Sequence, residues 1–322
     1  WQHGSMRTSA LLSVVALAAM AVGAAVTRAA GIQGRSPTFA ARLDMVSLVV
    51  SVTDASGRPV AGLGQEVFTV LEDGTSQDLC LFANQPIALS LAIVIDTSGS
   101  MERTLPIAQA AATNLLEPLH AGDEAMVAQF NQRYQLMQGF TGNLSTLASA
   151  LRALRANGAT ALYDALYCAL KEFSGRAGEG EVRRRALVLL TDGEDTASLG
   201  TEEQALALAR EAGVVIYTIG LRSDRGALRE AASMRAAHFL AVLSRETGGQ
   251  AYFTSKLSDL DGVYASIADE LRTQYTLGYI PKNPRHDGAW RRIAVMTNPQ
   301  SLVLRYRLGY FAPRERTQVG TR

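Results

Sequence analysis

Between residues 87 and 273 the chain repeats one alternation, a short and almost continuously apolar run followed by a segment whose apolar residues recur every three or four positions. The apolar runs include "LSLAIVI" (89–95), "DEAMVAQF" (123–130), "RRALVLL" (184–190) and "VVIYTIGL" (214–221). Helical spacing falls at Leu105, Ala108, Ala112, Leu115 and Leu119, then in "LSTLASALRAL", "ALYDALYCALKEF" and "EEQALALAREAG", the last closed by Gly213. Further helices are expected over 227–246 and 257–273, split by "GGQAYFTS". A strand that shows no polar alternation is buried on both faces, and helices between such strands carry the chain back so that the strands run parallel. The expected fold class is therefore α/β, a doubly wound and mostly parallel sheet covered by helices on both faces. With 48% hydrophobic residues in 322, the chain has ample material for such a core.

The flanks follow a different grammar. In "MVSLVVSVTD" Val46, Leu48, Val50 and Val52 alternate with small or polar residues, and "EVFTVLEDGTSQDLCLF" reads as two strands about a hairpin turn at Asp73-Gly74. Residues 44–84 thus predict three or four antiparallel strands, too few to build a core unaided. Alternation returns after Arg272 with Tyr275, Leu277 and Tyr279, then Ile293 and Val295, then Leu302, Leu304 and Tyr306. The expectation is one β-sandwich-like domain assembled from 44–84 and 274–312, with the α/β domain of 87–273 inserted between its halves and 313–322 as a flexible tail.

The first thirty residues are of another kind. "LLSVVALAAMAVGAA" follows Met6 and Arg7, has the length of a secretory apolar region, and is followed by small residues at Ala25 and Ala29–Ala30 that suit a signal peptidase. Residues 1–5, "WQHGS", precede the initiator candidate and read as a remnant or a misplaced start. Residues 1–30 therefore predict export to a periplasmic or extracellular location. The alternative is an uncleaved signal anchor, which would be the chain's only membrane link. Cys80 and Cys168 form neither a disulfide framework nor a zinc-binding spacing, and two separate buried thiols are expected, with one bridge as the alternative. The 31 basic and 30 acidic residues nearly cancel without any like-charge block, which excludes a nucleic-acid arm.

The first α/β strand runs into "VIDTSGSM" (94–101), which places Asp96, Ser98 and Ser100 at alternate positions. In an extended loop such residues point to one side. Asp192 follows the strand "RRALVLL", and Thr160 lies in "NGATALYDAL" before a helix. Carboxyl ends of parallel strands line the ligand crevice of an open doubly wound sheet, so two carboxylates and three hydroxyls converge there. The competing reading, that Asp96, Ser98 and Ser100 merely cap the next helix, explains one hydroxyl and not five groups.

This constellation resembles the metal-ion-dependent adhesion site of von Willebrand factor type A domains, with Asp96, Ser98 and Ser100, then Thr160, then Asp192 in the family's order. The stretches "VTDASGRPVAGLGQEVFTVLEDGTSQ", "GATALYDAL", "LLTDGEDTAS", "ETGGQAYF" and "LRTQYTLGYIP" closing on "RLGYFAP" resemble the exported von Willebrand A-related proteins known chiefly from acidobacterial genomes. The resemblance implies that Ser98, Ser100 and Thr160 ligate directly and that Asp96 and Asp192 act partly through water. It leaves one position for an Asp or Glu of a protein partner. Mg²⁺ is the implied cofactor, with Mn²⁺ or Ca²⁺ as substitutes, because hard cations prefer oxygen donors. Asp195 reads as a loop acid or an outer carboxylate, and Asp164 as a residue that fixes its loop or faces solvent. His3, His120, His238 and His286 share no ligand spacing, and no GxSxG, HExxH or Walker A run is present. The expected function is an exported, non-enzymatic adhesion-type module. An accessory subunit of an envelope assembly is the alternative, ahead of a metal-dependent hydrolase for which the sequence supplies neither nucleophile nor general base.

Overall fold

The computed structural model describes residues 45–85, 87–174, 182–192, 194–221, 227–298 and 300–314, with backbone only over 227–231. The expected export signal and the end of the tail lie outside the described residues. The chain begins with strands β1 (Val46–Thr53), β2 (Phe68–Glu72), β3 (Thr75–Gln77) and β4 (Leu79–Ala83). Strands β2 and β3 form the expected hairpin: Asp73 and Gly74 adopt φ of 47° and 83°, the left-handed pair that a two-residue turn of primed type demands.

The α/β layer then runs β5 (Leu89–Asp96), α1 (Leu105–Asn114), β6 (Glu124–Phe130), β7 (Tyr134–Thr141), α2 (Leu144–Ala153), α3 (Leu162–Lys171), β8 (Arg184–Thr191), α4 (Glu202–Ala212), β9 (Val215–Leu221), α5 (Ala227–Thr247), β10 (Ala251–Thr254) and α6 (Leu260–Thr273). Its sheet has the order β10-β9-β8-β5-β6-β7 and is parallel except for β7, which returns antiparallel to β6. Strand β5 shows why its sequence lacks alternation. Leu91, Ile93 and Ile95 pack into the layer formed with α1, α2 and α6, whereas Ala92 and Val94 pack into the opposite layer with α3, α4 and α5.

Four strands close the fold: β11 (Tyr275–Tyr279), β12 (Trp290–Thr297), β13 (Val303–Arg305) and β14 (Gly309–Phe311). They combine with the first four into two sheets of order β13-β1-β11-β4 and β14-β12-β2-β3. β1 pairs with β11 from Val46 opposite Tyr279 to Val50 opposite Tyr275, and β2 pairs with β12 from Phe68 opposite Thr297 to Glu72 opposite Ile293. Leu48, Val50, Val70, Leu277 and Val295 fill one core between them. Each sheet thus draws strands from both ends of the chain, and neither set could bury its apolar face without the other.

The seam between the sandwich and the α/β layer is polar and buried. Glu270 of α6 is 5% exposed, and its Oε1 accepts from Ser51 Oγ of β1 at 2.6 Å and from Tyr217 OH of β9 at 2.8 Å, while Oε2 pairs with Arg305 of β13. Gln274 Nε2 donates to Ser51 Oγ and Tyr217 OH at 3.1 and 2.8 Å.

Several expectations are corrected. Cys80 and Cys168 are free, but Cys80 is exposed and Cys168 half-buried, because β4 is an edge strand whose outer face carries Cys80. Helix α1 ends at Asn114, so Leu115 and Leu119 pack from the turns beyond it. The stretch that separates the last two helices is itself strand β10, and "GYF" is a further strand, β14. Among the described residues no helix is long and apolar enough to cross a membrane.

Two outcomes follow. Thiol titration of the unfolded, unreduced protein should count two thiols per chain, with Cys80 alone reacting quickly in the native state; a count near zero contradicts the fold. Glu270→Ala should lower unfolding stability by about 3 kcal/mol, because it strands buried hydrogen-bond donors and a guanidinium. An unchanged denaturant midpoint would show that the seam does not depend on Glu270.

Candidate metal centre

Parallel strands in register deliver their carboxyl ends to one edge. Strand β5 pairs with β8 up to Ile95 opposite Leu190, so the next residues, Asp96 and Thr191-Asp192, emerge side by side. Asp96 is 0% exposed. Its Oδ2 accepts a hydrogen bond from Thr191 Oγ1 at 2.7 Å, and its Oδ1 accepts from the backbone N–H of Ser98 at 2.8 Å. The carboxylate is therefore fixed in direction by one group from each strand end.

Ser98 is extended (φ −61°, ψ 163°) and precedes a single 3₁₀ turn, Gly99–Met101. Its hydroxyl makes no capping bond to that turn among the described residues. Ser98 Oγ lies instead 3.0 Å from Ser100 Oγ. The helix-capping alternative thus fails for the residue best placed to satisfy it. Ser98 is buried and Ser100 is exposed, so the hydroxyl pair runs from the interior to the surface.

The Thr160 loop is stitched to this one through its backbone. Asn157 N donates to Thr97 O at 2.7 Å and Gly99 N to Gly158 O at 2.9 Å, while Ala161 N donates to Asn131 O at 2.7 Å and so ties the Thr160 loop to the turn after β6 as well. Gly158 takes φ of 75°, and a Cβ there would lie 3.3 Å from Gln132 Oε1, so glycine suits the turn on both counts. Thr160 is buried at 5% exposure, with its N–H donating to Thr196 Oγ1 at 3.0 Å and its carbonyl accepting from the N–H groups of Thr196 and Ala197.

Asp195 and Asp164 are engaged in holding these loops. Asp195 Oδ1 accepts from Leu162 N at 2.7 Å and Ser198 Oγ at 2.5 Å, and the Asp164 carboxylate accepts from Leu199 N and Gly200 N at 2.9 Å each. They tie the 195–200 loop to the first turn of α3. The structure therefore joins Asp96, Ser98 and Ser100 by direct contacts, brings Asp192 beside Asp96, and anchors Thr160 through its loop. The sequence reading missed Thr191, whose hydroxyl orients Asp96; the in-register ends of β5 and β8 were the available signal.

Burial pushes the Asp96 carboxyl up to about 6, and the charge of Asp192 adds to that rise, while the Ser98 N–H and Thr191 hydroxyl oppose it. No basic side chain is among the principal influences on Asp96. Two neighbouring carboxylates, one of them buried, form a place where a cation is stabilised. Among the described residues no three His, Cys, Asp or Glu side chains gather as a cluster, so an ion here would draw on the hydroxyls. That mixed set of oxygens has the chemistry of donors to a hard divalent cation.

Residues 91–194 match the family model of the von Willebrand factor type A domain. A UPF0353 protein of Mycobacterium leprae (strain Br4923) is similar at 24% identity, over 71% of this chain and 72% of that protein. Among solved structures, a von Willebrand factor type A protein from Catenulispora acidiphila is similar at 14% identity and a TM-score of 0.49, over 86% of this chain and 76% of that one. Proximal thread matrix protein 1 from the mussel byssus, in a form with a zinc-occupied MIDAS motif, is similar at 17% identity and a TM-score of 0.48, with 62% of this chain covering 49% of that one. The span similar to the von Willebrand factor type A domain, residues 91–194, contains all five residues of the candidate centre.

Proposed function

We propose that Asp96, Ser98, Ser100, Thr160 and Asp192 hold a divalent cation, Mg²⁺ foremost with Mn²⁺ or Ca²⁺ as substitutes, and that the protein uses it to capture a carboxylate of a protein partner. The observation that carries this reading is the Asp96 carboxylate, fully buried, pinned by two hydrogen bonds, influenced by a second acid, and opening onto the paired hydroxyls of Ser98 and Ser100. When bound, the cation supplies an electrophilic position for an anionic oxygen, because neutral hydroxyls ligate it without cancelling its charge. The chain's own residues do the rest. Thr191 and the Ser98 N–H hold Asp96 in one orientation, the Asn157 and Gly99 backbone bonds keep the Thr160 loop against the Asp96 loop, and exposed Ser100 marks the side from which a partner approaches.

On this reading residues 87–273 form the binding module, the strands of 44–84 and 274–312 form its platform, and the apolar segment after Met6 directs export to the periplasm or beyond. The partner is a protein presenting Asp or Glu. The role requires no catalysis, since the hydroxyls and carboxylates described are accounted for by ion binding and loop fixation.

Mass action predicts that Mg²⁺ or Mn²⁺ at about a hundredfold excess over its dissociation constant stabilises chelator-treated protein by about 2.7 kcal/mol. Asp96→Asn should abolish this shift. The sign for the metal-free protein is opposite. The Asp96 value is raised above the ordinary 3.8, so its contribution to stability is full below the ordinary carboxylate range and is lost as pH rises through about 6. Asp96→Asn keeps a hydrogen-bonding shape without the charge, so at pH 7.5 without metal it should exceed the parent by on the order of 2 kcal/mol, a gain that vanishes toward pH 4. Thermal melts with and without chelator check both. A variant that is less stable than the parent at pH 7.5 without metal, or that responds to metal as the parent does, contradicts the reading.

Partner capture supplies the functional test. Binding of envelope proteins to immobilised protein should require divalent metal and be lost in Asp96→Ala, and changing the partner's contacting Asp or Glu to its amide should weaken binding at least tenfold, on the order of one lost charge-assisted contact. Capture that survives chelation contradicts a role for the ion.

A further inference from the structure

A second feature lies away from the proposed metal centre. A pocket of about 360 Å³ opens between the sandwich and the α/β layer, walled by β1, the start of β8, the end of α4 and Arg307 after β13. Its cationic side is under-compensated. Arg307 donates from Nη2 to Ser47 O at 2.9 Å and lies 5.6 Å above the Tyr310 ring, yet its Nε is sealed from solvent and has no hydrogen-bond partner. Arg185, half-buried on the same lining, has neither ion pair nor hydrogen bond among the described residues. The third guanidinium, Arg183, is engaged with Ser90 Oγ and Gly122 O at 3.2 and 2.8 Å.

The acid that shares this wall does not offset them. Glu246 is held by Arg210 through two hydrogen bonds of 2.7 and 3.0 Å. Burial pushes both Arg185 and Arg307 below the usual guanidinium range, and no carboxylate is among the resolved influences on either. A cation removed from water without a counter-charge is costly, and an oxyanion supplied from outside relieves that cost. Guanidinium groups present a planar fork of N–H donors that matches carboxylate and phosphate oxygens. Met45, Val49, Phe173 and Val214 give the lining an apolar side, beside the hydroxyl residues Ser47, Ser90 and Thr247.

We propose that this pocket binds a small amphiphilic anion whose carboxylate or phosphate group meets the guanidinium groups of Arg185 and Arg307, with its apolar part against Met45, Val49, Phe173 and Val214. The site is independent of the metal centre and is tested in chelator. Calorimetric titration of the full chain uses hexanoate, inorganic phosphate and, as a neutral control, hexanol. Saturable 1:1 binding of at least one anion is expected, with hexanol tenfold weaker or more. Arg185→Gln and Arg307→Gln should each weaken the anion tenfold or more, the effect of one lost charge-assisted contact. Hexanoate binding without phosphate binding would assign the apolar wall a share of the affinity, and phosphate binding would show that the oxyanion suffices; both support the site. Arg185→Gln decides the matter if Arg307→Gln fails to fold, since Arg185 has no bond among the described residues to lose. The proposal is overturned if neither anion binds saturably, or if Arg185→Gln binds as the parent does.

Discussion

Taking Asp96 out of water is the constraint around which the rest of the molecule is arranged. A carboxylate at the end of a buried parallel strand has no solvent to stabilise its charge, and the charge of Asp192 makes ionisation harder still. The fold accommodates this in two ways. The register between β5 and β8 sets Thr191 where its hydroxyl can donate to Asp96, and the turn that follows β5 aims the Ser98 N–H back at the same carboxylate. Both donors come from backbone geometry that the hydrophobic layers on either side of the sheet enforce.

The sandwich stands at the other end of this chain of dependence. Its sheets pair β11 and β12 with β1 and β2, so the two ends of the described chain meet in one sandwich with the α/β layer between them in sequence. Glu270 connects the two, since it lies on a helix of that layer and accepts from Ser51 of the sandwich and Tyr217 of the central sheet. Contacts of this kind fix orientation more than they add stability, because a buried charge must first overcome its own desolvation.

Much of this was legible in the residues. Continuous apolar runs gave the parallel strands because burial on both faces removes alternation, and the flanking strands kept alternation because one face of each sandwich sheet meets its apolar core, while the other face of the β1–β11 sheet meets the partly polar seam with the α/β layer. Asp73-Gly74 was readable as a turn because few residue pairs tolerate its dihedrals. What escaped depended on neighbours distant in sequence. Cys80 sits in an apolar context, and only the position of β4 at a sheet edge exposes it. The short strands β10 and β14 exist because β9 and β12 offer them an open edge, which no local pattern records. Thr191 was passed over for the same reason: its role lies in the register with β5 and not in its own surroundings. At the candidate site the five residues were visible as a pattern, but the engagement of Asp164 and Asp195 by backbone amides needed the loop conformations.

The central claim is that hydroxyls and carboxylates from three loops hold one divalent ion. Electron paramagnetic resonance of Mn²⁺ titrated into chelator-cleared protein tests it most directly, since the sharp signal of the free ion disappears on binding. The account predicts one Mn²⁺ bound per chain, displaced by Mg²⁺, with binding lost when Ser98 and Ser100 are both changed to Ala and the fold is otherwise kept. A free-ion signal that grows from the first addition, or Mn²⁺ binding that persists in the Ser98→Ala, Ser100→Ala variant, would contradict it.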